Sequence, residues 1–234
     1  MNETEWLSSS DPEAMLTVVL PDASERKLRQ FACACARCFW DDFDHPRSRQ
    51  AIEATERYAD GLADEREHRS ACDAASAVAR AVRWETSEEW FGETGRRYRL
   101  RALARAVAQK RIRFSVAEAV RTALQLAYDD DRTGVVRRRV EGLRDRLSGL
   151  LRDVFGNSFA AAGRPDEAAL AMNDHAVLRV ASAIYEDRAF DRMPILGDAL
   201  EDAGCIDEAI LGHCRGIGPH VRGCWVLDLI LGPN

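Results

Sequence analysis

Apolar residues recur along most of this chain at the three- and four-residue spacing that places them on one face of an α-helix. The pattern is clearest in residues 28–39 and 136–154, where apolar side chains repeat with that period among charged ones. No turn dipeptide typical of a β-hairpin lies between alternating apolar runs. The sequence therefore predicts an all-α fold of about eight to ten helices. We expect a multi-helix array or bundle, of which a solenoid-like stack of helix pairs is one form, with a compact C-terminal helical unit.

Residues that begin and end helices give the predicted boundaries. The predicted starts are Asp11-Pro12, Ser24, Ser115 with Glu118 as a capping box, Asn173-Asp174, Pro194, Asp207 and Pro219. The predicted ends are Gly61, Gly156 and Gly204, since glycine adopts the left-handed conformation that follows many helices. The apolar run at residues 226–231 fits a buried helix or a buried strand, because periodicity does not separate the two in so short a run.

Charge is strongly segregated along the chain. Residues 1–66 hold 8 basic and 14 acidic side chains, residues 67–152 hold 19 and 12, and residues 153–234 hold 6 and 13. The sign and the composition both change near residues 156–165, which we interpret as a domain boundary. The predicted organisation is an N-terminal helical region with a basic middle segment (1–156) and a C-terminal helical unit (157–234).

The composition is that of a globular protein. Hydrophobic residues make up 46% and charged residues 31% of the 234 positions, a balance that allows a sizeable core. The longest apolar runs are too short to span a bilayer, and the N-terminus is acidic where a secretion leader would be basic. We therefore expect a cytoplasmic protein that does not engage a membrane.

The seven cysteines are predicted to be free thiols. Their number is odd and no secretion leader precedes them, so a disulfide framework is not expected. Cys33 and Cys35 point about 200° apart on a helix and cannot hold one ion together. Cys35 and Cys38 share the apolar face, so core packing is the predicted role of this group.

Several blocks of sequence carry a family resemblance. In the N-terminal part they are Glu5-Trp6-Leu7 with Asp11-Pro12, residues 26–35 (RKLRQFACAC) and residues 56–61 (ERYADG). In the C-terminal part they are residues 151–157 (LRDVFGN), 189–192 (AFDR), 198–205 (DALEDAGC) and 220–225 (HVRGCW). Together they resemble a large paralogous family of bacterial proteins that carries no assigned activity, substrate or cofactor. The resemblance implies a variable Ala/Arg-rich middle segment and assigns no functional residue.

The C-terminal part concentrates residues that can bind a metal. Cys205, His213, Cys214, His220 and Cys224 lie within one short stretch, and zinc takes four such ligands in a tetrahedron. If the last segment is helical, His220 and Cys224 share a face, and Cys205 and Cys214 lie on turns that can fold back onto it. No cofactor is the default prediction, and zinc held by Cys205, Cys214, His220 and Cys224 is the alternative.

Two alternatives compete with zinc at this place. In the first, the thiols are simply buried in a helical hairpin and His220 satisfies a helix end, since the spacing matches no standard zinc finger. In the second, Cys224 is a nucleophile, His220 is its base, and Asp228 lies on the same helical face as both. Nucleophile and base on consecutive turns of one helix rarely face a common substrate, so no catalytic residue is predicted.

The basic middle segment is a candidate nucleic-acid interface. A stripe of arginines neutralises phosphates and a nearby tyrosine stacks on a base. The candidate residues are Arg96, Arg97, Tyr98, Arg101, Arg105, Arg111, Arg113, Arg137 and Arg138. The alternative is that the acidic flanks of the same chain pair with these arginines, and the overall pI near 5.5 argues against a dedicated nucleic-acid binder.

The sequence favours a non-enzymatic helical module that acts through a protein partner. No phosphate loop, nucleophile elbow or H-E-x-x-H motif is present. We therefore predict a protein-interaction or regulatory module, with a nucleic-acid-associated accessory protein and a zinc-binding or thiol-dependent module as the two alternatives.

Overall fold

The computed structural model describes residues 1–82, 92–128, 136–160, 163 and 167–232. Within these residues the chain forms twelve α-helices and no β-strand, which confirms the predicted all-α multi-helix array. The helices are α1 Glu3–Ser8, α2 Pro12–Val19, α3 Glu25–Arg37, α4 Pro46–Ala59, α5 Glu65–Arg80, α6 Glu93–Val107, α7 Ile112–Tyr128, α8 Val136–Phe155, α9 Glu167–Asp187, α10 Met193–Asp202, α11 Glu208–Arg215 and α12 Trp225–Leu231. None of the described helices combines the length and apolarity that a membrane span requires.

Local capping chemistry sets several helix ends as predicted. The side chains of Asp11, Ser24 and Asp207 accept hydrogen bonds from backbone N–H groups in the first turns of α2, α3 and α11. Each bond satisfies a donor that the helix itself leaves unpaired. At the other end of α8, Gly156 adopts a φ of +67°, a conformation that glycine reaches without steric cost.

Three predicted starts are wrong, because tertiary packing overrides the local pattern. Helix α7 begins a turn before Ser115, at Ile112, whose side chain is fully buried. Helix α9 begins at Glu167 and runs through Asn173-Asp174, although the next residue has a left-handed φ of 56°. Helix α12 begins at Trp225 rather than at Pro219. The run at residues 226–231 is therefore helical and not a strand.

The chain divides into two compact units. One comprises Ser9–Ser148, and the other combines Met1–Ser8 with Gly149–Asn234. The division falls within α8, whereas the charge pattern placed it at residues 156–165. The charge pattern reflects the surface of the chain, whereas the compact units are defined by packing. The fully buried side chain of Trp6, for example, donates a hydrogen bond to the carbonyl of Gly156. The first residues of the chain are thus part of the C-terminal unit.

The Ser9–Ser148 unit is built around α3. Its residues Phe31, Cys33 and Cys35 are buried, as predicted for the N-terminal thiols. Its last residue, Arg37, forms a two-point ion pair with the buried Glu56 of α4, at 2.5 and 2.7 Å. Paired in this way, the buried carboxylate avoids most of the cost of leaving water.

Buried His68 should make the stability of this unit depend on pH. The ring stacks on Tyr58, with the ring centroids 4.4 Å apart. Burial, and then the positive charge of Arg29, lowers the pKa of His68 from 6.5 to about 4, although Glu65 opposes the shift. Between these two pH values the unfolded chain takes up a proton that the folded chain does not, so stability falls as the pH falls.

The expected loss between pH 6.5 and pH 4 is about 2 kcal/mol, below the full value of the shift because solvent screens part of it. Urea denaturation at a series of pH values measures this loss. The variant His68→Phe keeps the ring stack and removes the titrating group, so its profile should be flatter than that of the wild type. Parallel profiles would contradict the assignment.

The C-terminal unit has its own apolar core, formed by α9 to α12. The fully buried members include Val177, Ala181 and Ile184 of α9, Leu196 and Leu200 of α10, Ile210 and Cys214 of α11, and Val226, Leu227 and Ile230 of α12. This core fixes α11 and α12, the two helices on either side of the loop described next.

Candidate metal centre

Four side chains with metal-binding atoms converge in the C-terminal unit. They are Asp153 in the last turn of α8, His213 in α11, His220 in the following loop, and Cys224 directly before α12. One ligand atom from each residue lies within 4.8 Å of the corresponding atoms of the other three. Asp153 and Cys224 are buried, and the two histidines are half-buried. Segments distant in sequence thus bring oxygen, nitrogen and sulfur donors together.

The carboxylate of Asp153 is the centre of this group. Its Oδ1 lies 2.8 Å from His220 Nδ1 and 3.1 Å from His213 Nε2, and its Oδ2 accepts a 2.9 Å hydrogen bond from the backbone N–H of Val221. Burial acts to raise the pKa of Asp153, but hydrogen bonds from His213 and His220 hold the pKa below its usual range. The carboxylate is therefore ionised when the unit is folded.

Trp225 and Gly156 fix the orientation of the His213 ring. A Cβ atom added to Gly156 would lie 3.2 Å from Cγ of Trp225, so the missing side chain lets the indole pack against the end of α8. The indole Nε1–H then donates a 3.1 Å hydrogen bond to Nδ1 of His213. Because an indole nitrogen is only a donor, the proton of neutral His213 lies on Nε2, towards Asp153 and Cys224.

Burial makes Cys224 a poor nucleophile. Loss of solvent raises the pKa of its thiol well above the usual value, and Asp153 raises it further, against the opposing N–H groups of Leu227 and Val226. His213 Nε2 lies 3.2 Å from Cys224 Sγ, but this same nitrogen faces Asp153. A catalytic triad needs the base to contact the nucleophile and the carboxylate through different nitrogens. His220, the predicted base, contacts Asp153 through Nδ1, but its Nε2 makes no hydrogen bond to the thiol. Neither histidine therefore links Cys224 to Asp153 as a triad requires.

The second alternative from the sequence, a helical stripe of His220, Cys224 and Asp228, does not form. Residues 219–224 precede α12, and Gly223 has a φ of +85°. His220 and Cys224 approach each other through this turn rather than through consecutive helical turns.

The four side chains form a group of the kind that can hold a metal ion. Ligands at about 2.0–2.3 Å from a tetrahedral ion lie roughly 3.3–3.8 Å from one another. Three separations in this group are shorter, at 2.8, 3.1 and 3.2 Å, and all the ligand atoms lie within 4.8 Å of one another, so the side chains would have to shift around an ion. The other ring nitrogen of His220, Nε2, is buried and has no hydrogen-bond partner among the described residues. It lies on the far side of the ring from Nδ1, which faces Asp153, so it does not belong to this group of donors.

The structure brings together two of the four predicted ligands. His220 and Cys224 belong to the group, while Cys205 and Cys214 do not. Burial, and then Cys205, raises the pKa of Cys214 to about 12, which keeps that thiol protonated within the core. Asp153 and His213 replace these two cysteines. His213 was visible in the sequence as one of five Cys/His residues, but no local pattern indicated Asp153.

The predicted arginine stripe makes ion pairs inside the Ser9–Ser148 unit. Arg97 and Arg101 both bind Asp44, at 3.0 and 2.6 Å, and Arg96 binds Asp42 at 3.0 Å. Burial acts to raise the pKa of Asp44, but its hydrogen bonds from Arg101 and Arg97 lower the pKa below its usual value. These arginines therefore join α6 to the loop before α4.

Two further predicted contacts are also used within this unit. Arg105 binds Glu118 at 2.5 Å, so the proposed capping residue Glu118 has a different role. Arg113 donates hydrogen bonds to the carbonyls of Leu20 and Ala23. Each of these contacts ties a basic side chain to a neighbouring segment.

The remaining predicted residues lie nearer the surface. Arg111 and Arg138 are exposed and Tyr98 is half-buried, whereas the side chain of Arg137 lies outside the described residues. Nucleic-acid binding stays a prediction.

Comparisons with models of protein families, with characterised proteins and with solved structures found no match to this chain. The family resemblance of the sequence blocks therefore stays a prediction, and the candidate site is interpreted from its geometry alone.

Proposed function

We propose that the C-terminal unit is a zinc-binding helical module in which Asp153, His213, His220 and Cys224 hold one ion. The observation that carries the proposal is the convergence of these four donor atoms, from separate segments, within 4.8 Å. A mixed set of thiolate, imidazole and carboxylate ligands favours zinc over calcium or magnesium, which prefer oxygen alone.

The role that we propose for the ion is structural. Four protein ligands complete a tetrahedron, whereas a catalytic zinc keeps one position open for water or substrate. Binding displaces the thiol proton of Cys224, so metal uptake releases a proton. For Nε2 of His213 to bind the ion, the imidazole proton moves to Nδ1, and the Trp225 N–H must give up its hydrogen bond to that nitrogen. The ion ties the end of α8 to α11 and to the turn before α12. A module of this kind acts through its surface, and we propose a protein partner rather than a substrate.

The test is metal analysis of full-length protein purified without an affinity tag. We expect one zinc per chain, and replacement by cobalt(II) should give the absorption of a tetrahedral site with a thiolate-to-cobalt charge-transfer band. Cys224→Ser should lose that band. Cys214→Ser removes a buried thiol of the same unit that lies outside the group, and it should retain the band.

Three outcomes would contradict the proposal. Zinc well below one equivalent after reconstitution would leave Asp153 as the centre of a purely hydrogen-bonded cluster. A charge-transfer band that persists in Cys224→Ser, or that disappears equally in Cys214→Ser, would place the metal elsewhere.

A further inference from the structure

The two histidines of the candidate metal centre differ at their outer ring nitrogens, which are the nitrogens that do not face Asp153. His213 faces Asp153 through Nε2, and its outer nitrogen Nδ1 accepts a 3.1 Å hydrogen bond from the indole N–H of Trp225. His220 faces Asp153 through Nδ1, and its outer nitrogen Nε2 is buried without a hydrogen-bond partner among the described residues. Within the part of the chain that the structure describes, a donor is therefore aimed at the outer nitrogen of His213 alone.

This difference decides where each ring can place its proton. A neutral imidazole carries one proton, and both inner nitrogens donate to the carboxylate of Asp153. A nitrogen that binds an ion gives up its proton, which then moves to the outer nitrogen of the same ring. At His220 the proton moves to a nitrogen that receives no hydrogen bond. At His213 it moves to Nδ1, where the N–H of Trp225 already points, so two donors face each other.

The surroundings of His213 are the reverse of those of most metal-binding histidines. A histidine that binds a metal normally donates its outer N–H to a carboxylate, a carbonyl or a water molecule. The outer nitrogen of His213 instead faces an indole nitrogen, which has no accepting lone pair. Trp225 therefore stabilises the hydrogen-bonded form of His213 relative to the form that binds an ion through Nε2.

Packing holds the indole of Trp225 in this position. Trp225 is the first residue of α12, and the next two residues, Val226 and Leu227, are fully buried in the core of the unit. A Cβ atom added to Gly156 would lie 3.2 Å from the indole, and the centroids of the indole and the His213 ring are 5.1 Å apart. The indole is thus enclosed between Gly156 and His213, and it turns its N–H away from His213 only by loosening these contacts.

We propose that Trp225 is a positioning residue that lowers the metal affinity of the C-terminal site by holding the proton of His213 on Nε2. This inference rests on the metal centre proposed above and assigns to one side chain the control of its affinity. The ion has to displace a hydrogen bond as well as a proton. The site therefore holds its metal less tightly than the same four ligands would without the indole.

Two Trp→Phe variants of the full chain provide the first test. Trp225→Phe keeps an aromatic ring next to Gly156 but removes the N–H. Its affinity for cobalt(II), measured by competition with a chromophoric chelator, should rise about five- to tenfold, the effect of one competing hydrogen bond. Trp6→Phe removes another buried indole N–H of the same unit, which donates to the carbonyl of Gly156 and not to a ligand. Its affinity should stay close to that of the wild type.

The direction of the change separates this role from a purely structural one. A substitution that only loosens the unit weakens metal binding, whereas removal of a competing donor strengthens it. Equal or weaker binding by Trp225→Phe would overturn the proposal. An equal rise in Trp6→Phe would also overturn it, because the effect would then not depend on contact with His213.

Nitrogen-15 NMR tests the same assignment in the wild-type protein, without any substitution. In chelator-treated protein, His213 should carry its proton on Nε2, and this preference should weaken in Trp225→Phe. When zinc is added, the indole N–H signal of Trp225 should shift as its hydrogen bond is lost, while that of Trp6 should not. A proton on Nδ1 of His213 in chelator-treated wild-type protein, or an unchanged Trp225 signal in zinc-loaded protein, would overturn the proposal.

The outcomes distinguish this inference from the proposed function on which it rests. Stoichiometric metal with no gain of affinity in Trp225→Phe would overturn the role of Trp225 and leave the metal centre intact. No metal uptake by the wild type or by either variant would overturn the metal centre, and the role of Trp225 in its affinity with it.

Discussion

Replacing Asp153 with alanine is expected to destabilise the C-terminal unit by about 3–5 kcal/mol, even in protein stripped of metal. The carboxylate is buried and accepts hydrogen bonds from His213, His220 and the backbone of Val221. Alanine leaves these donors without an acceptor in a place that water does not reach, and each unsatisfied group costs about 1–3 kcal/mol. Chemical denaturation of chelator-treated protein, followed by tryptophan fluorescence, measures the loss, because Trp225 contacts His213.

Two variants separate this effect from a general loss of acidic charge. Asp153→Asn keeps the shape and one acceptor oxygen, so its loss should be smaller than that of the alanine variant. Asp202→Ala removes an exposed carboxylate at the end of α10, and the expected change is within about 0.5 kcal/mol. If Asp153→Ala were no worse than Asp202→Ala, the carboxylate would not be the centre of the cluster.

Local chemistry explains why much of the fold could be predicted. A cap such as Asp11 or Asp207 bonds to N–H groups two or three residues away, so its information lies within one turn of sequence. Ser115 failed as a cap because it lies in the first turns of a helix that Ile112 anchors in the core. Packing of that kind depends on segments that the local pattern does not contain.

The candidate site shows the same limit more strongly. His220 and Cys224 were predicted together on helical spacing, yet a turn at Gly223 brings them together. Asp153 lies sixty or more positions from both histidines. It stands within the block of residues 151–157 that carries the family resemblance, but nothing in that block marks it as a metal ligand. Its role arises only when α8 and α11 pack in one unit.

Pairing with residues distant in sequence also decided whether the arginine stripe is exposed or forms ion pairs within the chain. Arg97 and Arg101 are regularly spaced on α6, which predicts a shared face but not what that face meets. Their partner Asp44 lies 53 and 57 positions away. The sequence left exposure and internal pairing open as alternatives, and the three-dimensional fold selects pairing for these two residues.

The first residues of the chain were also not expected to belong to the C-terminal unit. Helix α1 has six residues, too few to be stable alone, and its attachment rests on Trp6. The indole is fully buried, and its Nε1–H donates to the carbonyl of Gly156 at 3.0 Å. The backbone carbonyl of Trp6 accepts a 3.0 Å hydrogen bond from Arg152. Trp6 therefore anchors α1, and Glu3 adds a 2.6 Å hydrogen bond from Asn157.

Trp6→Ala is consequently expected to destabilise the C-terminal unit by about 3–5 kcal/mol, the usual cost of deleting a large buried aromatic side chain. Hydrogen exchange of the full chain measures the effect, and protection should fall in the C-terminal unit, above all at the end of α8 that Trp6 contacts, more than in α3 and α4. Trp6→Phe keeps the apolar ring but removes the N–H donor, so it should lose less than the alanine variant. The neighbouring Leu7 is 54% exposed, and Leu7→Ala should change stability by less than about 0.5 kcal/mol. Loss of protection confined to α3 and α4 would contradict the prediction, because it would show that residues 1–8 stabilise the Ser9–Ser148 unit instead.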